Sequence, residues 1–412
     1  MADKTLLVVG TYDTKNAELT YVASRIAALG GAVLSMDVSV LGDPETPVNY
    51  SKHQVADAAG GSIEAAVNSG SEHLAMTMMT AGAVALVGKL QRASAFDGVI
   101  LLGGTMGTDL ALDVCQSLPL GVPKYIVSTV AFSQIIPTER LPSDMQMILW
   151  SGGLYGLNAI CKSSLSQAAG AVLGAARAVE TPQGNRPVVG ITSLGTSCLK
   201  YIIPLKPALE SRGYEVAVFH AMGMGGMAFE NIAAQGGFAC VMDFAGGELG
   251  NLMLGSVVHA GPDRLLSAGR AGIPQIVALG CMDLIDFAGT QDIPLAFKGR
   301  PIHVHNKLIS NAFYNPEERR QIAREYNSRI GQSAAPVHLI LPNQGIEEWD
   351  RPGGDCHDPE GLSAFMDEMR STVSASVQCS ELDCHINDAA FADTALDIFD
   401  RWVAGGQVVC AR

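Results

Sequence analysis

The chain has little charge, few cations and no paired cysteines, and each shortage excludes a class of protein. Charged residues make up 17% of its 412 positions, and Lys plus Arg total 27 against 41 Asp plus Glu, for a net charge of −14. A surface that negative repels phosphodiester backbones, and no basic stripe with interleaved aromatics occurs, so no nucleic-acid partner is expected. The nine cysteines, at 115, 161, 198, 240, 281, 356, 379, 384 and 410, are scattered, odd in number and without a Cys-x-x-Cys pair. That argues against a disulfide framework and a zinc ribbon, and most read as small buried apolar groups. No stretch approaches about 18 uninterrupted apolar residues, so no membrane span is expected. The opening "MADKTLLVVG" has an acid near the front and only a short apolar run, unlike a secretion signal, so a cytoplasmic location is expected.

What is present is hydrophobic residues at 48% and 45 glycines, many of which follow apolar runs. Short apolar runs ending in glycine are the pattern of strands buried on both faces in α/β proteins. At this length one ordinary core does not suffice, and two domains are the default.

Four pairs of segments line up in order. "TLLVVGTYDT" (5–14) resembles "PVVGITSLGT" (187–196), and "GAVLSMDVS" (31–39) resembles "GYEVAVFHAMG" (213–223). "DGVILLGGTMG" (97–107) pairs with "FACVMDFAGGELG" (238–250), and "GVPKYIVST" (121–129) with "GIPQIVALG" (272–280). Strand, glycine turn and helix in succession imply parallel strands with right-handed crossovers. The expected fold class is therefore α/β, with two doubly wound Rossmann-like lobes whose parallel sheets face an interlobe cleft. The lobes fall at 1–180 and 185–412, joined through "VETPQGNRP" (179–187). "PVHLILPNQG" (336–345) adds a strand to the second lobe, and a C-terminal helical region containing "DTALDIFDRWVAG" (393–405) packs on either.

In open parallel sheets ligands bind beyond the carboxyl ends of the strands. In lobe one those ends carry Thr11, Asp13, Ser39, Gly103 to Thr108, and Ser128–Thr129; in lobe two Thr192, Ser193, His220, Asp243, Glu248 and Asp283. The first set is glycine and hydroxyl, suited to phosphate; the second is acidic and imidazole-bearing, suited to proton transfer.

"GGTMGTDLA" (103–111) offers backbone N–H groups at a helix N-terminus, although it is neither a Walker A loop nor a Gly-x-Gly-x-x-Gly fingerprint. Its bland reading is a turn with Thr108 as N-cap. In "GTYDTK" (10–15), Asp13 or Thr14 would cap a helix from about 15 to 29. Lys15 then falls in the first turn, where the helix dipole disfavours a cation unless an anion is present. "FHAMGMGGMAFE" (219–230) sets His220 at a strand end before Gly223, Gly225 and Gly226. "HVHN" (303–306) places His303 and His305 on one face of an extended segment, and "GDCHDPE" (354–360) adds Cys356, His357 and Asp358. These are metal-ligand types, but no spacing forces them together, and any metal ligands stay unassigned.

The segments "VGTYDTK", "GGTMGT", "VPKYIVSTVA", "FHAMGMGGMAFE", "AGPDRL" (260–265), "GIPQIVALGCMD", "DPEG" and "HINDAAFA" resemble one family over nearly the whole chain. It is the largely uncharacterised family of the ATP-binding N-terminal part of the tomato mosaic virus resistance protein, with many stand-alone bacterial members. The resemblance implies two Rossmann-like lobes and ATP in the first, held by Asp13, Thr14, Lys15, Ser39 and Gly104 to Gly107. It supplies no reaction. The chain departs from the family pattern in lobe two: Met224 and Met227 stand where a threonine and an arginine are usual, and Ala245-Gly246-Gly247 replaces a hydroxyl-rich stretch. Tyr314-Asn315 replaces Arg-Thr, and Gly345-Ile346-Glu347 replaces Gly-Val-Ser.

Together these readings describe an ATP-dependent enzyme acting on a small metabolite at the interlobe cleft; the alternative is a nucleotide-responsive sensor or partner-binding protein without turnover. ATP would sit on Thr11, Asp13, Thr14, Lys15, Ser39, Gly103, Gly104, Thr105, Met106, Gly107 and Thr108, with Mg²⁺ on its phosphates. His220, Asp243 and Glu248 would carry catalysis. A small-molecule ligand and a homo-oligomer, simplest as a dimer, complete the expectation. The charge balance gives a direct prediction: gel-shift titrations with DNA and RNA at low salt show no complex, and tight, salt-sensitive retention would contradict it.

Overall fold

Apolar runs recurring along residues 5–149 become five strands, and each connection brings the chain back in the same direction. The computed structural model describes residues 4–153, 155–180 and 186–411. It divides into two units, 1–183 and 184–412. Within the expected junction at 179–187, residues 181–185 lie outside the described residues.

The first unit runs β1 (Thr5–Gly10), α1 (Tyr12–Ala28), β2 (Ala32–Asp37), α2 (Lys52–Ala58), α3 (Ile63–Val67), α4 (Glu72–Arg92) and β3 (Gly98–Gly103). Then follow α5 (Thr105–Gln116), β4 (Lys124–Ser128), β5 (Met145–Leu149) and α6 (Ala159–Ala178). The sheet order is β2-β1-β3-β4-β5, parallel throughout. Strand periodicity divides its core into two layers. Leu7, Val9, Val99 and Leu101 pack with α2 to α5, while Leu6, Val8, Ile100 and Leu102 pack with α1 and α6. Among the described helices α4 alone is long and apolar enough to cross a membrane by length and composition. Here its Ala75, Met79, Ala83, Val87 and Leu90 form a stripe buried in the first of those layers.

The second unit runs β6 (Val188–Ser193), α7 (Ile202–Ser211), β7 (Glu215–His220), α8 (Met224–Ala234), β8 (Cys240–Ala245), α9 (Glu248–Met253), α10 (Ser267–Arg270) and β9 (Gln275–Gly280). It continues through β10 (Leu284–Ala288), β11 (Ile302–Val304), β12 (Ile309–Phe313), α11 (Pro316–Ile330), β13 (Val337–Pro342), α12 (Pro359–Thr372), β14 (Gln378–Leu382) and α13 (Ala389–Ala404). Six strands form a parallel sheet in the order β14-β13-β9-β8-β6-β7. The expected strand at 336–345 is β13. The C-terminal helix belongs to this unit: Phe391 of α13 packs its ring 5.0 Å from Phe244 and 5.8 Å from Tyr201. The antiparallel sheet β10-β12-β11 and the edge strands β5 and β14 were not anticipated, because they are short and half polar.

Two helix starts also differ from expectation. α1 begins at Tyr12 with Thr11 as N-cap, so Asp13 and Thr14 lie inside its first turn. α5 begins at Thr105 with Gly104 as N-cap, and Thr108 instead donates its hydroxyl back to the Gly104 carbonyl at 2.8 Å.

The strand-to-helix turn at 103–107 explains one of its glycines internally. A Cβ on Gly103 would strike the Gly107 backbone, so the close approach of β3 to α5 requires glycine there. Gly103→Ala is therefore expected to lower the stability of the first unit by about 1–3 kcal/mol in denaturant unfolding. An unchanged midpoint would show that the turn relaxes freely.

Candidate functional site

In the first unit β1 and β3 are neighbours from which the chain departs in opposite directions, β1 towards β2 and β3 towards β4. Such a reversal opens a crevice at the carboxyl ends. A cavity of about 680 Å³ lies there. Thr11, Asp13, Thr14 and Lys15 line it from the β1 side, and Gly103, Gly104, Thr105, Met106 and Gly107 from the β3 side. Its remaining wall is largely apolar, with Val40, Leu41, Ala66, Val67 and Met76.

The two helix N-termini at this cavity differ. The first amides of α1 are answered from within: Tyr12 N–H donates to Asp37 Oδ1 at 3.1 Å and Asp13 N–H to the Ser39 hydroxyl at 3.0 Å. Ser39 in turn donates to Asp37, through its amide at 2.9 Å and through its hydroxyl. Ser39 is thus fully buried support for α1, outside the cavity wall, which corrects its expected place on the ligand. Thr108 is likewise buried, hydrogen-bonded to Ser128 at 2.6 Å, and its expected ligand contact is corrected as well. α5 is different. Its N-cap is glycine, no side chain caps it, and its first turn faces the cavity. Uncapped first-turn amides and the helix dipole together form an anion seat.

Two charged groups of α1 line the same cavity. Lys15 has non-helical backbone (φ −127°, ψ 22°) inside the first turn of α1, and lines the same cavity. Asp13 has one buried oxygen, Oδ1, without a hydrogen-bond partner.

The second unit fills its corresponding seat with its own residues. The N-terminus of α8, rich in glycine like α5, meets the Glu248 carboxylate: Gly223 N–H donates at 2.6 Å and Gly226 N–H at 3.2 Å. A Cβ on Gly226 would collide with that carboxylate, so this glycine serves an internal anion. Glu248 is held by Arg264 Nε at 2.8 Å. The same guanidinium grips Asp243 through both terminal nitrogens, Nη2 at 2.7 Å, reaches Glu230 at 3.2 Å, and donates to the Ala245 carbonyl at 2.9 Å. Thr192 donates to Asp243 at 2.7 Å. All four charged side chains are buried. Burial works against the Arg264 charge, but Asp243, Glu248 and Glu230 outweigh it and hold the guanidinium well above its usual range. Burial also pushes the Glu248 carboxyl up to about 7, against the pull of Arg264, and raises Glu230.

This corrects the expected catalytic set. Asp243 and Glu248 are closed into an ion cluster in the core, almost wholly buried and with each carboxyl oxygen hydrogen-bonded. His220 alone of the three is exposed, at the end of β7, where a Cβ on Gly195 would stand 3.9 Å from its Cε1. It lines a separate cavity of about 200 Å³ together with Ser197, Cys281, His305, Glu347 and Trp349.

The remaining candidates do not assemble a metal site. His303 and His305 both stack on Trp349, at 5.4 and 5.8 Å. Cys356 is buried, His357 Nδ1 pairs with the Asp350 carbonyl at 2.8 Å, and Asp358 caps α12 and pairs with Arg319 at 2.8 Å. Among the described residues no three His, Cys, Asp or Glu side chains are grouped to hold an ion.

Family models described as the N-terminal and C-terminal domains of the uncharacterised protein family UPF0261 match residues 4–181 and 186–403. The chain belongs to the UPF0261 family. A UPF0261 protein of Brucella melitensis is 54% identical over 404 residues, covering 98% of this chain and 97% of that one. The ToMV resistance protein Tm-1(GCR237) of Solanum lycopersicum is 32% identical over 314 residues, 73% of this chain and 41% of the tomato protein. Among solved structures, a UDP-N-acetylglucosamine 2-epimerase aligns over 91% of this chain and 92% of its own with 8% identity and a TM-score of 0.24, too low to carry an argument.

In this UPF0261 chain, sequence reasoning missed Arg264 and Glu230, and read Glu347 only as a departure from the family pattern. A lone arginine buried between Pro262 and Leu265 in a cation-poor chain was the one available signal. Since that arginine balances three buried carboxylates, Arg264→Met is expected to destabilise the second unit by about 3–5 kcal/mol. Denaturant unfolding checks this; a loss below about 1 kcal/mol would mean the carboxylates do not need the guanidinium.

Proposed function

We propose that the first unit binds ATP, with the phosphates at the N-terminus of α5 and Lys15 neutralising part of their charge. The observation that carries this is the meeting of an uncapped glycine N-terminus, Lys15 and the hydroxyl loop after β1 in one cavity at the strand-order reversal. The apolar wall from α3, α4 and the segment after β2 suits a purine face, as ligand pockets pair apolar walls with a few fixed polar groups. Mg²⁺ would ride on the phosphates, and the unpartnered oxygen of Asp13 is the protein's available acceptor for it or for a ribose hydroxyl. The acid at the end of β2, Asp37, gives one oxygen to the Tyr12 and Ser39 amides; its other oxygen, Oδ2, is also without a partner, but Asp37 is buried and does not line the cavity.

Whether the bound nucleotide is consumed divides two readings. The enzyme reading needs proton-transfer groups, and of its three candidates only His220 remains exposed. The closing of Asp243 and Glu248 into the Arg264 cluster favours the second reading, a nucleotide-responsive protein without turnover.

Gly104 allows a clean test, because a Cβ there would meet nothing closer than Thr129 Oγ1 at 3.8 Å. Gly104→Ala is therefore expected to fold with wild-type stability yet bind ATP at least about tenfold more weakly in calorimetry, since its methyl enters the path of the phosphates. Unchanged affinity would show that the loop is only a turn. ATP consumption by wild type and by His220→Ala, over a metabolite panel, separates the enzyme from the sensor: no turnover in wild type supports the sensor, and turnover lost in the variant at unchanged affinity supports the enzyme.

A further inference from the structure

The 200 Å³ cavity of the second unit holds an unresolved electrostatic problem. Glu347, in its wall, is completely buried, and neither carboxyl oxygen accepts a well-formed hydrogen bond; only the Cys356 thiol and the Trp349 amide stand near enough to ease its charge. A buried carboxyl so poorly satisfied is costly, and native structures rarely leave one without a reason. The cavity lies at the carboxyl ends of β6, β7, β9 and β13, the position where doubly wound sheets take their ligands. Cys281, in the same wall, has φ 55°, a left-handed conformation rare for a non-glycine residue and concentrated at ligand sites. Its thiol is pushed well up by burial, so it contributes a neutral wall and no nucleophile.

The charge around the cavity selects the ligand. Its wall contains Glu347 and Asp286 and no lysine or arginine. Asp286 already accepts from Asn251 at 2.7 Å and from Asn311, which leaves Glu347 as the open acceptor. Nearby cations are engaged elsewhere: Arg319 with Asp358, Lys200 with Glu348, Arg351 with Glu348 and Asp388. An anion would find no cation in this wall and would hold Glu347 in its protonated form; an ammonium group would bring three donors and the positive charge that lets the carboxyl ionise. A metal ion is disfavoured, because no third ligand stands with the Glu347 oxygens among the described residues.

We propose that this cavity binds a small alkylammonium compound, with Glu347 as the residue that pairs with its charged nitrogen. The hydroxyl of Ser197 and the His220 and His305 rings, in the same wall, would hold the polar remainder of the ligand.

The groups facing Glu347 give the proposal a second signature. Burial first, then Asp283 and Asp350, push its carboxyl up to about 9. Cys281 and Asp283 come from the segment after β9, Asp350 and Cys356 from the loop that carries Glu347, and His385 Nε2 donates to the Glu347 carbonyl at 2.8 Å. Arg319 of α11 opposes this by acting on Asp283. At pH 7 the empty site therefore holds a proton on Glu347, and an entering ammonium displaces it to solvent.

The experiment uses the full chain without nucleotide, so its outcome is separate from that of the ATP test. Ethanolamine, ethylene glycol and glycolate, which share a size and differ in charge, are titrated at pH 7 by calorimetry and ligand-observed NMR. Ethanolamine is expected to bind, the other two not, and Glu347→Gln to weaken ethanolamine at least about tenfold. Calorimetry of the wild type in buffers of different ionisation enthalpy is expected to show about one proton released per amine bound, which tests the pairing even if Glu347→Gln fails to fold. Equal binding of the glycol or glycolate, no binding of ethanolamine, unchanged affinity in Glu347→Gln, or binding without proton release would each overturn the proposal.

Discussion

An N-terminal helix turn buried against a sheet presents amide groups that must meet an anion, and in the second unit that demand fixes much of the rest. Glu248 answers the Gly223 and Gly226 amides of α8. A carboxylate so deeply buried is tenable only beside a cation, and Arg264 supplies it. Arg264 is itself tenable because Asp243 from β8 and Glu230 from α8 complete its shell. Glu230 then reaches beyond the guanidinium to accept from the Leu265 and Ser267 amides, at 2.6 and 3.0 Å, which pins the loop into α10. One guanidinium thus ties β8, α8, α9 and α10 together.

The first unit meets the same demand twice and answers it differently. α1 is supported from within by Asp37 and Ser39. α5 has no internal answer: its cap is Gly104, no side chain caps it, and it opens on a cavity of about 680 Å³ at the carboxyl edge of the sheet. The contrast with α8 is what gives the anion seat its meaning. Where the chain uses such a seat structurally, it supplies a carboxylate; at α5 it supplies space and a lysine.

This difference also explains how much the sequence disclosed. The residues from 11 to 15 and from 103 to 107 were legible as lying on one sheet edge because strand ends of one parallel sheet face the same way. Ser39 and Thr108 shared that position, and only their burial and their hydrogen bonds to Asp37 and Ser128 place them behind the cavity wall. Asp243 and Glu248 were misread for a related reason. A strand-end position says which edge of the sheet a carboxylate occupies, not whether a guanidinium from a distant loop has closed over it. Arg264 lies 21 residues from Asp243 and 16 from Glu248, with no periodicity linking them. Short, half-polar strands such as β11 and β12 were illegible because their alternation is too brief to stand out from loop.

The two units share a strand order at their amino-terminal ends, yet their cavities at the carboxyl edge differ in place and in chemistry, one at the ends of β1 and β3 and the other at the ends of β6, β7, β9 and β13. In the first unit the cavity offers donors: helix amides, threonine hydroxyls and Lys15. In the second, with α8 sealed by Glu248, the space at the sheet edge is bounded instead by the loop after β13, and that loop brings in Glu347. The acids around Glu347 are Asp283 and Asp350, and burial with their repulsion sets its state, independently of the Arg264 cluster. Asp283 shows this directly: although Arg319 pulls it down, burial pushes its carboxyl up to about 7, with Asp350 adding to the rise. Two units with one shared strand order thus present different side chains at their carboxyl edges: threonines and a lysine beside helix amides in the first, a buried carboxyl beside histidines in the second.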